Sequence, residues 1–284
     1  MLGYLIGLPG RVDLTSEDDW ARICAVSVPV ALFAFGAGLL VAVLTAPVGV
    51  SGAVFLLPIQ LDLLRVPSPA VTPTNLLFNV VATPGALLRY KRTGRLGGTL
   101  PRQLLAGTLP GVVIGTLMRV YLAPGDRIFR LLAAGVLLPL GLWLCLQRPE
   151  QPVHPRELRT STITGLGFVV GIVGGIYGIG GGSLLGPILV GAGMSVTVVA
   201  PAALTATFLT SVAGVITYGM LSLTTTGPVS PHWAIGVLCG LGGLIGGYLG
   251  ARLQPHVPET GLRILLGALA VGLAITYITQ AASR

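Results

Sequence analysis

Charge is scarce in this chain, and carboxylate scarcer still. Of 284 residues, 9% are Asp, Glu, Lys or Arg and 53% are hydrophobic, far more apolar residues than one soluble core could bury. Asp13, Glu17, Asp18, Asp19, Asp126, Glu150, Glu157 and Glu259 fall in the termini or between apolar runs, which leaves Asp62 as the one acid expected at membrane depth. That argues against a carboxylate relay of the kind proton pumps use, and Asp62, with Arg65 three residues on, reads as half of a local ion pair, the competing reading being a coupling site. Cys24, Cys145 and Cys239 lie in apolar surroundings at spacings that match neither a metal site nor a disulfide framework, and read as small core residues. His154, His232 and His256 lack ligand spacing, so neither a metal nor a cofactor is expected. A His-Glu-x-x-His pattern, an aspartate pair within an apolar run and a nucleophile with its base are all missing, which argues against an intramembrane hydrolase or any other enzyme. The net charge of +8 is gathered in short clusters between apolar runs, a pattern that orients a chain in an anionic membrane and does not suit nucleic acid.

What is present is hydrophobic length. Runs able to span a bilayer, about 20 residues at the helical rise, cover Ala21 to Leu44, Val71 to Tyr90, Leu100 to Leu122, Ile128 to Leu146, Val198 to Met220, Trp233 to Leu253 and Leu262 to Gln280, with Thr162 to Tyr177 slightly short. Ala53 to Leu64 and Ser183 to Ala192 are too short to cross and each follows a glycine cluster, so they read as half-helices or re-entrant segments. The fold class expected is an all-α polytopic membrane protein. Residues 1–20, apolar and then acidic, are in the wrong order for a signal peptide and read as a surface segment.

The chain also repeats itself. Gly49-Val50-Ser51-Gly52, five residues and Pro58 recur as Gly178-Ile179-Gly180-Gly181, five residues and Pro187, an offset of 129 that Gly107 with Gly236 and Gly111 with Gly240 share. Thr72 to Tyr90 pairs with Ala200 to Tyr218 at 128, and Arg119 and Arg130 pair with Arg252 and Arg263 at 133. Two halves of about five helical elements follow, residues 21–147 and 162–281, joined by the polar linker 148–161. The Arg89, Lys91, Arg92, Arg95 and Arg102 cluster reads as cytoplasmic, as does the linker, while the charge-free Leu221 to His232 reads as lying on the other side. With an odd number of elements per half that makes the repeats inverted and puts Arg119, Arg127 and Arg130 on the outer side, against the charge rule; if each broken segment is instead one discontinuous helix, the parity changes and the repeats are parallel.

Candidate site residues sit at the two breaks. Gly178, Gly180, Gly181, Gly182 and Ser183 cannot stay in a regular helix cheaply, since each interior Gly costs on the order of 1 kcal/mol, so the chain opens and its amides, with the positive end of the following helix, face the gap. Gly49, Ser51 and Gly52 repeat the construction, and together the two breaks could hold a small oxyanion without an arginine in the membrane. Rows spaced by four, such as Gly167, Gly171 and Gly175, read as helix packing; the GIGGGS run does not, because packing needs small residues on one face and not at successive positions. Asn75, Asn79 and Thr83 share a helix face, as do Ala203, Thr207 and Ser211 with Thr205 nearby, and Asn79 facing Thr207 and Thr83 facing Ser211 would line a central cavity with neutral donors. For Ser and Thr the competing reading is a bond back to the helix's own carbonyls.

The GIGGGS run, Pro187, the stretch Leu204 to Ser211 and Tyr218, with VGVSG, Leu57-Pro58, Thr74 to Asn79 and Arg89-Tyr90-Lys91-Arg92-Thr93-Gly94 as a first copy, resemble the TauE/SafE family of membrane permeases, also called sulfite exporters, over about residues 30 to 280. The first copy departs from the pattern with Val50-Ser51-Gly52-Ala53 in place of a glycine triplet. The resemblance implies a multi-pass protein of the bacterial cytoplasmic membrane that exports a small anion, sulfite or an organosulfonate such as sulfoacetate. An uncoupled, channel-like anion permease and a membrane scaffold subunit are the alternatives. The partners expected are the small anion and the lipid bilayer, with self-association into a homo-oligomer allowed.

Overall fold

A computed structural model describes residues 27–122, 159–192, 194–224, 230–256 and 259–282, with individual positions between 131 and 146. The 1–20 segment, Cys24, most of the linker and about half of the run from Ile128 to Leu146 lie outside the described residues. The elements are helices: α1 (Val28–Thr45), a 3-10 turn (Ala46–Val48), α2 (Ala53–Pro58) continuing into a π turn (Ile59–Leu63), α3 (Ser68–Arg92), α4 (Leu100–Tyr121), α5 (Thr160–Tyr177), α6 (Gly182–Gly191), α7 (Val196–Ser222), α8 (Trp233–Leu253) and α9 (Glu259–Ala282). Five of these regions, α1, α4, α5, α7 and Trp233–His256, are long and apolar enough to cross a membrane, whereas Ala53–Leu63 is apolar but short. No strand occurs among the described residues. The protein is an all-α, multi-pass membrane protein.

Polarity is distributed as lipid demands. Leu32, Leu40, Val169, Ile216 and Met220 are exposed on the outside, where hydrocarbon replaces water as solvent, while Ser51, Asn75, Asn79, Thr83, Ser183, Thr207, Thr210 and Ser211 are buried inside. Helices approach through glycine. A Cβ on Gly107 would stand 2.1 Å from Thr164 O, on Gly111 2.4 Å from Phe168 O and on Gly115 2.1 Å from Ile172 O. The contacts rise together along both sequences, so α4 and α5 run the same way. Gly242, Gly246 and Gly250 of α8 meet Phe35, Leu39 and Val43 of α1 in the same rising order, and Gly236, Gly240 and Gly247 meet Leu77, Val81 and Ala86 of α3. Small-residue rows of this kind let membrane backbones touch where no hydrophobic force drives helices together.

The packing crosses between the halves: α8 lies on α1 and α3, and α4 lies on α5 and α7. It also corrects one sequence equivalence. Gly107 and Gly111 face α5, whereas Gly236 and Gly240 face α3; the residues of α8 that play the part of Gly107, Gly111 and Gly115 are Gly242, Gly246 and Gly250, each 135 positions later. The shift from 128 between Tyr90 and Tyr218 is absorbed by the longer connection before α8. The two ends of α8 lie far apart, His232 N–H donating to Thr74 Oγ1 at 2.8 Å while Arg95 reaches Gln254 at 3.3 Å.

Candidate functional site

Each break begins with a glycine that no other residue could replace without strain. Gly49 closes the 3-10 turn with φ +76°, and Gly178 ends α5 with φ +72°, the left-handed C-cap that favours Gly. Both reach across to the other half: a Cβ on Gly49 would stand 2.6 Å from Ala200 Cα of α7, and one on Gly178 2.2 Å from Thr72 O of α3. Ala200 and Thr72 are themselves 128 positions apart. One tyrosine holds the approach in each copy, Tyr90 Oη donating to Ala46 O at 3.4 Å and Tyr218 Oη to Gly175 O at 3.3 Å.

After each break the chain doubles back. Gly175 lies against Val112 and Thr116 of α4, but Gly181 lies against Thr108, and Gly180, Gly182 and Gly186 then descend α7 from Ser211 and Thr207 to Ala203. In the first half Ser51 meets Asn79 and Ala53 meets Asn75, a descent along α3. The two returning segments meet where a Cβ on Gly186 would stand 3.0 Å from Gly49 O.

Around the first break, Ser51 Oγ donates to Asn79 Oδ1 and accepts from Ala53 N–H at 3.2 Å, and Asn75 Nδ2 donates to Ala53 O at 2.8 Å. Asn75 Oδ1 and Asn79 Nδ2 find no partner, although both residues are fully buried. Around the second, Ser183 Oγ donates to Ile179 O and lies 3.3 Å from Thr207 Oγ1, Gly181 N–H donates to Thr210 Oγ1 at 3.1 Å, and Ser211 Oγ has no partner. Gly180, at φ +73°, would bring a Cβ to 2.8 Å from Thr207 Cγ2 and 2.9 Å from Ser211 Oγ.

The structure thus gathers Gly49, Ser51, Gly52, Asn75 and Asn79 about one break and Gly178, Gly180, Gly181, Gly182, Ser183, Thr207 and Ser211 about the other. Asn79 and Thr207 each bond to the re-entrant segment of their own half. Thr83 is buried, and Thr205 sits apart, its hydroxyl returned to Pro201 O at 2.7 Å. Three participants escaped the sequence reading. Thr210 takes an amide of the break, and Thr108 of α4 packs on Gly181. Arg119, expected at the outer face, is 2% exposed, its Nη2 donating to Ser68 O at 2.9 Å and Ser68 Oγ at 2.6 Å and its Nε to Thr72 Oγ1 at 3.4 Å. A signal for it was present: Arg119 continues the spacing of Gly107, Gly111 and Gly115, and so shares their inward face. The interior therefore does contain an arginine.

Among the described residues no group of His, Cys, Asp and Glu is placed to hold a metal. The chemistry on offer is hydrogen bonding by neutral amides and hydroxyls, with the N-terminal end of the ten-residue α6 turned to the second break. No curated protein and no solved structure shows a significant match to the chain. The family model described as sulfite exporter TauE/SafE matches residues 34–277, a span that holds both breaks, and the chain belongs to that family of membrane transporters.

Proposed function

We propose that this protein is a secondary transporter that exports a small anion, sulfite or a small organosulfonate such as sulfoacetate, across the bacterial cytoplasmic membrane through a midplane site between two inverted halves. The observation that carries the reading is the meeting of the two breaks in the interior, with Asn79 Nδ2 and Ser211 Oγ beside them and unpartnered. A buried donor without an acceptor costs roughly 1–3 kcal/mol, and an oxyanion accepting from both would remove that cost. Gly49, Ser51, Gly52, Gly178, Gly180, Gly181, Gly182 and Ser183 form the floor of the site in this reading, and Asn75, Asn79, Thr83, Thr207 and Ser211 its walls, with Thr205 left outside because its hydroxyl returns to Pro201 O.

Inversion is supported by direction. α1 and α3 run with α8, α5 runs with α4, and Arg119 near the end of α4 meets Ser68 at the start of α3, as in an antiparallel pair. The first helix of each half then enters from opposite sides. The bodies that move would be α1–α3–α8 and α4–α5–α7, with the breaks between them, a rocking-bundle form of alternating access.

The test is sulfite efflux from proteoliposomes, with sulfate, sulfoacetate, taurine and acetate as competitors, in the native protein and in Asn79→Leu and Ser211→Ala. Selective, saturable efflux weakened in both variants is the expected result, and a chain that moves no anion would be a scaffold. Accumulation against a gradient separates a coupled transporter from the channel-like permease.

A further inference from the structure

We propose that the anion site selects a substrate with a hydrogen-bond donor of its own, a singly charged oxyanion bearing an O–H or N–H such as hydrogensulfite, over an anion that offers acceptors alone; the inference rests on the anion-transport reading above. Asn75 carries it. Its Nδ2 donates to Ala53 O at 2.8 Å, and because a carbonyl oxygen only accepts, the amide cannot be turned the other way. The free atom is therefore Oδ1, fully buried and without a partner among the described residues. An amide oxygen can accept and nothing else. One turn further along the same face of α3, Asn79 is the converse: its Oδ1 accepts from Ser51 Oγ, and its Nδ2 is left to donate.

A fully ionised anion answers one of these two atoms and not the other. Its oxygens accept from Asn79 Nδ2, but against Asn75 Oδ1 they set acceptor to acceptor, and a buried acceptor denied a donor keeps its full desolvation cost. A ligand that joins an oxyanion to an O–H or N–H answers both, and side chains on successive turns, with Cβ atoms about 6 Å apart, can be bridged by one small molecule. The second half makes no such demand. Ala203 stands where the first half has Asn75, and Thr207 and Ser211 stand where it has Asn79 and Thr83; their hydroxyls accept or donate as the ligand requires. The requirement for a donor thus belongs to one oxygen of the first half. Sulfoacetate, ionised at both ends, carries acceptors only and ranks below hydrogensulfite.

The experiment holds pH fixed and compares two sulfonates of equal charge and nearly equal size as inhibitors of sulfite transport in proteoliposomes: isethionate, which ends in a hydroxyl, and propanesulfonate, which ends in a methyl. In the native protein isethionate is expected to bind about tenfold more tightly, because a site built to bond a hydroxyl penalises its loss. Asn75→Ala, which gives α3 the residue that α7 carries as Ala203, should bring the two inhibitors within about threefold of each other, whereas Asn79→Leu should weaken both and keep their ratio. With sulfite moving in the native protein, inhibitors within about threefold of each other, or no inhibition by either, overturn this inference alone. So does a native preference that Asn75→Ala leaves intact, which is the result if a buried water already serves Asn75 Oδ1. If Asn75→Ala does not fold, the native ratio decides, a preference for isethionate above about threefold supporting the inference and a smaller one overturning it. If the native protein neither moves nor binds sulfite, the transport reading fails and the inference with it.

Discussion

The two breaks are built to one plan and finished differently. The first admits side chains: Ser51 sits where the second has Gly180, and Ala53 where the second has Gly182. Gly180 and Gly182 are crowded by Thr207, Ser211 and Ala203, a Cβ on Gly182 standing 2.0 Å from Ala203 O, and Gly180 has a positive φ that Ser51 does not share. At the first break the Ser51 hydroxyl bonds the Asn79 carbonyl oxygen; at the second, bare backbone lies under hydroxyls. A repeat that keeps its hinge glycines, Gly49 and Gly178, while changing the residues after them has kept the turn and varied the lining.

The largest effect should come from forcing the first finish onto the second break. Gly182→Ala puts a methyl against backbone that cannot retreat, and overpacking of this kind costs roughly 3 kcal/mol or more; thermal unfolding in detergent should show little folded protein, and a melting temperature near the native one would refute the crowding argument. Asn79→Leu comes next, because it strips Ser51 of its acceptor and the site of its free amide. A loss of about 1–3 kcal/mol with weakened sulfite stabilisation is expected, and stabilisation by sulfite equal to the native protein's would remove Asn79 from the site.

The reverse swap, Ser51→Gly, should be mild. It frees Asn79 Oδ1 and costs about 1 kcal/mol, so a collapse as severe as that of Gly182→Ala would mean the breaks are not distinguished by crowding. The smallest effect concerns the far end of α8, where His232 Nδ1 accepts from Ile235 N–H at 3.5 Å. Burial holds the imidazole below its ordinary 6.5, so the folded state takes up a proton less readily than the unfolded one. The neutral cap contributes in full above about pH 6.5 and is lost as pH falls through the folded value. Melting temperatures at pH 7.5 and 5 should diverge more in the native protein than in His232→Asn; equal drops would show that the cap does not titrate.

Much of this was legible in the sequence because the membrane leaves few choices. Apolar length fixed the helices, and two glycine clusters at one offset announced the breaks. The Thr205 hydroxyl was not separable from Thr207 by sequence, since one bonds its own helix and the other reaches Ser183, a difference of which way a helix face turns. Arg119 was hidden for a related reason: near a helix end, an arginine reads as an interfacial anchor, and its burial depends on Ser68 and Thr72, 51 and 47 positions away. The equivalence of Gly107 with Gly236 failed because a loop insertion changes which face of a helix a given offset selects.

The crossed packing of α8 on α1 and α3 bears on how the protein is made. During synthesis α1 emerges first, yet the glycines that seat it, Gly242, Gly246 and Gly250, emerge some two hundred residues later. Until then α1 and α3 must wait in lipid with the faces that α8 covers left open, whereas α4 needs only α5 and α7 to complete its bundle. The second bundle is therefore expected to close first, and a ribosome stalled before Trp233 would leave the first one open.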